Sequence, residues 1–430
     1  MGLTRRGLTV AALILLPGVA SAQDGARTRR VSVSQNGEAG NLQSRACDLA
    51  RDAEVVAFDS FAGNFVPRDT NDTGDVFVSD RAGGVERVSV TSEGRQARTE
   101  NQVPSISAGG RFVVFTSTGY NLRDARSGSR LAVFLHDRRT GRTVRASDRS
   151  DGRRVEGHAH GHSISNSGRY VAFISQARDL AMRGDHNGMP DVFVHDRKTR
   201  KTNRVSLSRK MGDPDGGSTT TSISGDGRYV AFGSYATNLV RGDDNGHLDV
   251  FVYDRAARET ELVSIWTSGE QADDQSYDPS ISADGRYVAF TSYGPLAETD
   301  AAYGDVYVHD RLSGETEHVS VGAWGPGNAL SVDPSISDDG RYVAFTSIAD
   351  NLVEGDTNGT ADVFVRDRVE GKTIRVSVGD EGQEADAWGM SPAISPDGGY
   401  VCWSSPATNL DDVPDEHPDR EDVYLRGPLF

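Results

Sequence analysis

Cysteine is almost missing from this chain. Cys47 and Cys402 are the only two in 430 residues, too few for a disulfide scaffold. Lysine is nearly as scarce: only Lys198, Lys201, Lys210 and Lys372 occur, so the basic charge is arginine. Net positive charge is absent, with a formal balance of −17. Such a chain is repelled by nucleic acid and by anionic membrane surfaces, and suits cations, basic partners or plain solubility. Beyond residue 22 no apolar run approaches the ~20 residues of a membrane helix, so no membrane insertion is expected. Helical periodicity over a helix's length is lacking as well. So are the catalytic signatures: Gly-x-Ser-x-Gly, His-Glu-x-x-His, Cys-x-x-Cys and a phosphate loop.

What is present begins with a leader. Arg5 and Arg6 precede an apolar run from Leu8 to Leu16, and Ala20-Ser21-Ala22 supplies a small-residue cleavage site. Residues 1–22 therefore read as a signal peptide, and residues 23–430 as an exported chain, extracellular or periplasmic. Its loss takes the formal charge from −17 to −19. In an oxidising compartment a Cys47–Cys402 bridge is chemically possible, provided their Cα atoms lie within ~7 Å.

One unit then recurs throughout. Its clearest copy reads DPSISDDGRYVAFTS from Asp333, then NLVEGDTNGTADVFVRDR, a Gly-Lys-Thr turn and IRVSV. The isoleucine returns at Ile106, Ile164, Ile223, Ile281, Ile336 and Ile394, at spacings of 58, 59, 58, 55 and 58, and Leu49 replaces it in a degenerate first copy. Each of the seven copies carries four short β-rich segments, A to D, separated by turn signals such as Asp284-Gly285 and Thr140-Gly141. The last copy stops after segment C, at Asp422–Leu425, while Arg30–Ser34 reads as an orphan segment D. Joining the two closes a ring and removes exposed sheet edges. The prediction is a seven-bladed β-propeller of four antiparallel strands per blade, closed by the N-terminal strand.

SISADGRYVAFTS followed by DVYVHDR resembles the WD40-like repeats of the TolB-type propeller family, across essentially the whole chain after the leader. The resemblance implies the architecture. It does not carry over the Tol–Pal role, because the α/β domain of TolB has no counterpart and the repeats are longer.

In such a blade the B–C and D–A loops share one face, where binding residues concentrate on a rigid scaffold. Four B–C loops repeat an acidic pattern: Asp69, Asn71 and Asp75; Asp185, Asn187 and Asp191; Asp243, Asn245 and Asp249; Asp356, Asn358 and Asp362. Oxygen ligands at alternate positions suit Ca²⁺. Asx turns explain the same residues without metal, and the third aspartate recurs at Asp305 and Asp422 where the pattern has decayed. Asp-Arg pairs such as Asp196-Arg197 end strand C in nearly every blade and read as braces to the Asp-Gly-Arg turn.

Asymmetry marks function better than repetition. Trp266, Trp324 and Trp388 fall in consecutive D–A loops beside Asp273, Asp274 and Asp386, a candidate surface for sugars or a peptide. Interblade packing is the plainer reading of the same rings. Trp403, on strand B, reads as core. His158, His160 and His162, with Glu156 nearby, could converge on a transition metal if strand alternation holds. The expected function is a monomeric, non-catalytic binder of a protein or glycan, with calcium as a candidate stiffener. The alternative is a secreted polysaccharide lyase or glycoside hydrolase using the same face.

Overall fold

The computed structural model describes residues 25–122, 130–151, 153, 155, 157–180, 185–296, 303–413 and 419–430. The leader and Glu156 lie outside the described residues.

Seven four-stranded antiparallel sheets form the ring. Blade 3 shows the plan, with strands A to D at Ala159–Ile164, Tyr170–Ser175, Asp191–Asp196 and Lys201–Arg204. The other A strands are Ser44–Leu49, Asn101–Ile106, Ser218–Ile223, Ser276–Ile281, Ser331–Ile336 and Met390–Ile394, in blades 1, 2, 4, 5, 6 and 7. Neighbouring A strands pack against one another around the ring, blade 7 against blade 1 included. They form its inner wall.

Burial explains the plan. Strands B and C are buried along nearly their whole length, and each blade stacks one aromatic pair across them: Phe173 on Phe193 at 5.9 Å in blade 3, Trp403 on Tyr424 at 5.9 Å in blade 7. Trp403 is fully buried core, as expected. On the face of the A–B and C–D turns, Arg169 grips Asp196 through two hydrogen bonds of 3.0 and 2.7 Å, and Arg111, Arg228, Arg286 and Arg341 repeat the grip. The next arginine, Arg197, donates to the Gly168 carbonyl and lies 4.1 Å above the Phe112 ring of the preceding blade. The Asp-Arg pairs are braces. Glycine at the Asp-Gly turn is required twice over: Gly285 has φ +75°, and a Cβ there would sit 2.1 Å from the Tyr229 ring.

Arg27–Arg30 completes blade 7, pairing antiparallel with Tyr424–Gly427. The sequence reading set strand D three residues too late. In every blade but the second, which has Ala146-Ser147, the chain leaves the ladder at the following Val-Ser, because that serine is needed elsewhere. Ser32, Ser89, Ser206, Ser264, Ser320 and Ser377 each donate to the aspartate that opens strand C, at 2.5 to 2.8 Å. Closure is also covalent, since Cys47 and Cys402 form a disulfide with Cα atoms 6.4 Å apart.

Candidate binding face

The acidic loops are the most regular feature of this face. Their asparagines make Asx turns, with Asn245 Oδ1 accepting from the His247 amide at 2.9 Å. Their amide groups tie the loop down: Asn245 Nδ2 donates to Asp249 at 2.8 Å and to the Ala272 carbonyl of the D–A loop at 3.1 Å. Between the aspartates of three loops lies an arginine guanidinium from the end of strand D. Arg87 reaches Asp69 at 3.3 Å and Asp75 at 3.2 Å. Arg204 reaches Asp191 at 2.8 Å, Asp213 at 2.7 Å and Asp185 at 3.9 Å. Arg375 reaches Asp356 at 3.1 Å and Asp362 at 3.5 Å. Arg30 repeats the device in blade 7 with Asp411 and Asp422.

Blade 4 differs. Strand D there ends in Leu262, and among the described residues Asp243 and Asp249 receive only hydrogen bonds, from Gln271, Asn245 and Ser264. Burial, reinforced by Asp243, pushes Asp249 up to about 6. No group of three or more His, Cys, Asp or Glu side chains is arranged to hold a metal ion among the described residues.

The histidines do not converge. A bulge between His160 and Ser163, with Gly161 at φ +53°, breaks the alternation that would align them. His158 accepts from the Leu131 amide, His160 is exposed, and His162 is buried with Nδ1 3.1 Å from Thr116 Oγ1. Burial lowers the His162 pKa to about 4.

The tryptophans are separate too. Trp266 is half-buried and packs on the core between blades 4 and 5, and Trp388 is half-buried. Trp324 stands 66% exposed between the two short strands Val321–Gly322 and Gly325–Pro326. No ring contact joins the three among the described residues. Asp273 and Asp274 are exposed, while Asp386 accepts hydrogen bonds from the backbone and hydroxyl of Thr408.

Sequence reading missed the channel wall. Every A strand shifts register against strand B at its middle. The residue at that bulge is Ala46, Val103, Gly161, Thr220, Asp278, Asp333 or Ser391, in blade order. Five of them take left-handed φ values of 49° to 56°, a conformation costly for valine and aspartate. Seven equivalent positions thus carry six kinds of side chain, and the two carboxylates, Asp278 and Asp333, are neighbours. Burial, then the charge of Asp333, pushes Asp278 up to about 6; burial raises Asp333 as well. Above them Tyr277 meets Tyr293 at 5.7 Å. Tyr293 is 47% exposed just past strand B, and Tyr235 and Ile348 hold the same place in blades 4 and 6, both exposed. An acidic pair in blades 5 and 6 therefore lies beneath exposed Tyr293, which Tyr235 of blade 4 and Ile348 of blade 6 flank on the loop side.

No family model matches the chain, and no curated protein does. Among solved structures it is similar to oligogalacturonate lyase from Vibrio parahaemolyticus, at 12% identity over 95% of each chain with a TM-score of 0.54. An oligogalacturonate lyase in complex with manganese is alike at 13% identity over 95% of this chain and 94% of that one, TM-score 0.53. TolB from Acinetobacter baumannii matches at 17% identity over 83% of this chain and 68% of that one, TM-score 0.42. Likeness at these identities extends to the propeller fold alone.

Proposed function

We propose that this chain is an exported, non-catalytic propeller that binds a protein or glycan at the channel mouth on its loop face. The observation that carries the reading is the asymmetric wall: Asp278 and Asp333 sit side by side on strained bulges, below Tyr277 and Tyr293. Strain and buried charge of this kind cost stability, and a ligand that pairs with the carboxylates and stacks on the rings offsets that cost. Trp324, far more exposed than a core ring, extends the surface outward. In this reading calcium acts only at the blade 4 loop, where no arginine fills the space between Asp243 and Asp249.

A second reading rests on the same pair. Adjacent carboxyls, one of them raised to about 6, can hold the proton a glycosidic cleavage requires. That reading makes the chain a carbohydrate-active lyase or hydrolase. Passing a panel of polysaccharides and basic peptides over immobilised protein, in EDTA and in Ca²⁺, tests the proposal. Retention of one ligand unchanged is expected, weakened by Trp324→Ala at an unaltered melting temperature. Fragmentation of the retained polysaccharide would overturn the non-catalytic reading, and identical retention in EDTA would remove calcium from it.

A further inference from the structure

The outer rims of neighbouring blades splay apart, and the repeat has a device for closing them. A glutamate on strand D of one blade reaches the strand-C arginine of the next. Glu86 meets Arg138 at 3.1 Å between blades 1 and 2, Glu317 meets Arg368 at 2.8 Å between blades 5 and 6, and Glu261 meets Arg311 between blades 4 and 5. All three glutamates hold one register position, opposite Val78, Val308 and Val252. The other four blades lack the glutamate: the position is Asn203 in blade 3, Ile374 in blade 6, Arg29 in blade 7 and, opposite Leu135 in blade 2, Val144. Arg197 of blade 3 is left with the Gly168 carbonyl and the Phe112 ring, and makes no ion pair among the described residues.

The cleft between blades 2 and 3 is a groove of about 800 Å³, in the range of ligand sites. Four further arginines line it: Arg145 and Arg149 pair with Asp148 and Asp151 on the same wall, while Arg142 and Arg200 are exposed and without a side-chain partner among the described residues. Asp137, also on its wall, is already gripped by Arg111. Thr140, Ser150 and His195 add to the polar lining, and the Thr143 hydroxyl there donates to the Val90 carbonyl. In a chain of formal charge −17 this is a local concentration of uncommitted guanidinium groups.

We propose that the cleft between blades 2 and 3 binds a carboxylate-bearing glycan. Guanidinium planes match carboxylates, and the hydroxyls match sugar hydroxyls. A peptide adding a strand is disfavoured, because Ser92 Oγ already bonds both the amide and the carbonyl of Thr143 on the sheet edge, each at 3.1 Å. The site is independent of the channel mouth.

Calorimetry on the full chain with tetragalacturonate, its methyl ester and tetraglutamate tests this. Tetragalacturonate is expected to bind, more weakly as salt rises, and the ester and the peptide at least tenfold more weakly. Val144→Glu installs the missing glutamate and is expected to abolish binding. Arg142→Ser with Arg200→Ser, both at exposed positions, is expected to cost tenfold or more, and carries the test if Val144→Glu does not fold. Equal binding of the ester or the peptide, or unchanged affinity in the double-serine variant, would overturn the proposal.

Discussion

Replacing Arg204 with methionine is expected to destabilise the protein by about 3–5 kcal/mol, the usual cost of removing one partner of a buried ion pair. The side chain is 5% exposed, and its removal strands Asp191, Asp185 and Asp213 around an empty space. For a chain of this length that corresponds to roughly 4–6 °C in Tm. The sign with pH is fixed. Burial already raises Asp191 to about 6, against the pull of Ser206 and Arg204. Without the arginine it titrates higher still, and a carboxyl raised in the folded state costs stability above that pKa and regains it as pH falls. The deficit of Arg204→Met should therefore shrink as pH falls from the variant's higher pKa toward about 6, the parent's value. Thermal melts at several pH values check this. A variant that melts like the parent, or whose deficit ignores pH, would mean that the guanidinium does not brace the loop.

The second large effect concerns closure. Cys47 and Cys402 are 355 residues apart in sequence, so their bond removes a very large loop from the unfolded ensemble. Chain-entropy reasoning gives about 6 kcal/mol for a loop of this size, with residual structure in the unfolded chain reducing what is realised. Replacing both with alanine is expected to lower Tm by several degrees while the ring stays closed, because Arg27–Arg30 still pairs with strand C of blade 7 and Arg30 still binds Asp422. Reductant should lower the parent to the variant's Tm and leave the variant unmoved. A variant as stable as the oxidised parent would show that the strand alone carries closure.

The fold was legible because its signals are local and repeated. Isoleucines near 58-residue spacing, Asp-Gly turns and a missing last strand are visible without any contact map. The disulfide was visible only as a reach condition, since the two cysteines meet across the whole chain. The arginine braces were hidden for a related reason. Arg87, Arg204 and Arg375 lie 12 or 13 residues past the aspartates they hold, on another strand, so a loop read by itself looks like a set of free oxygens. The channel wall was hidden by its bulges. Asp278 and Asp333 stand in the same Asp-Pro-Ser-Ile phrase and looked like part of the repeat. Only the register shift reveals that their position is occupied by an unlike residue in every other blade. Val144 carries no signal until pairing places it where three other blades keep a glutamate.

The channel mouth is the centre of the account, and Asp278→Asn with Asp333→Asn tests it most directly. Melting temperature and ligand retention are measured together at neutral pH. Both carboxyls are raised by burial, so removing their charge is expected to raise Tm, while retention of whichever ligand the parent holds falls at least tenfold. Stability gained and binding lost is the pattern of a site. Retention equal to the parent's would contradict the account and move the binding surface away from the channel.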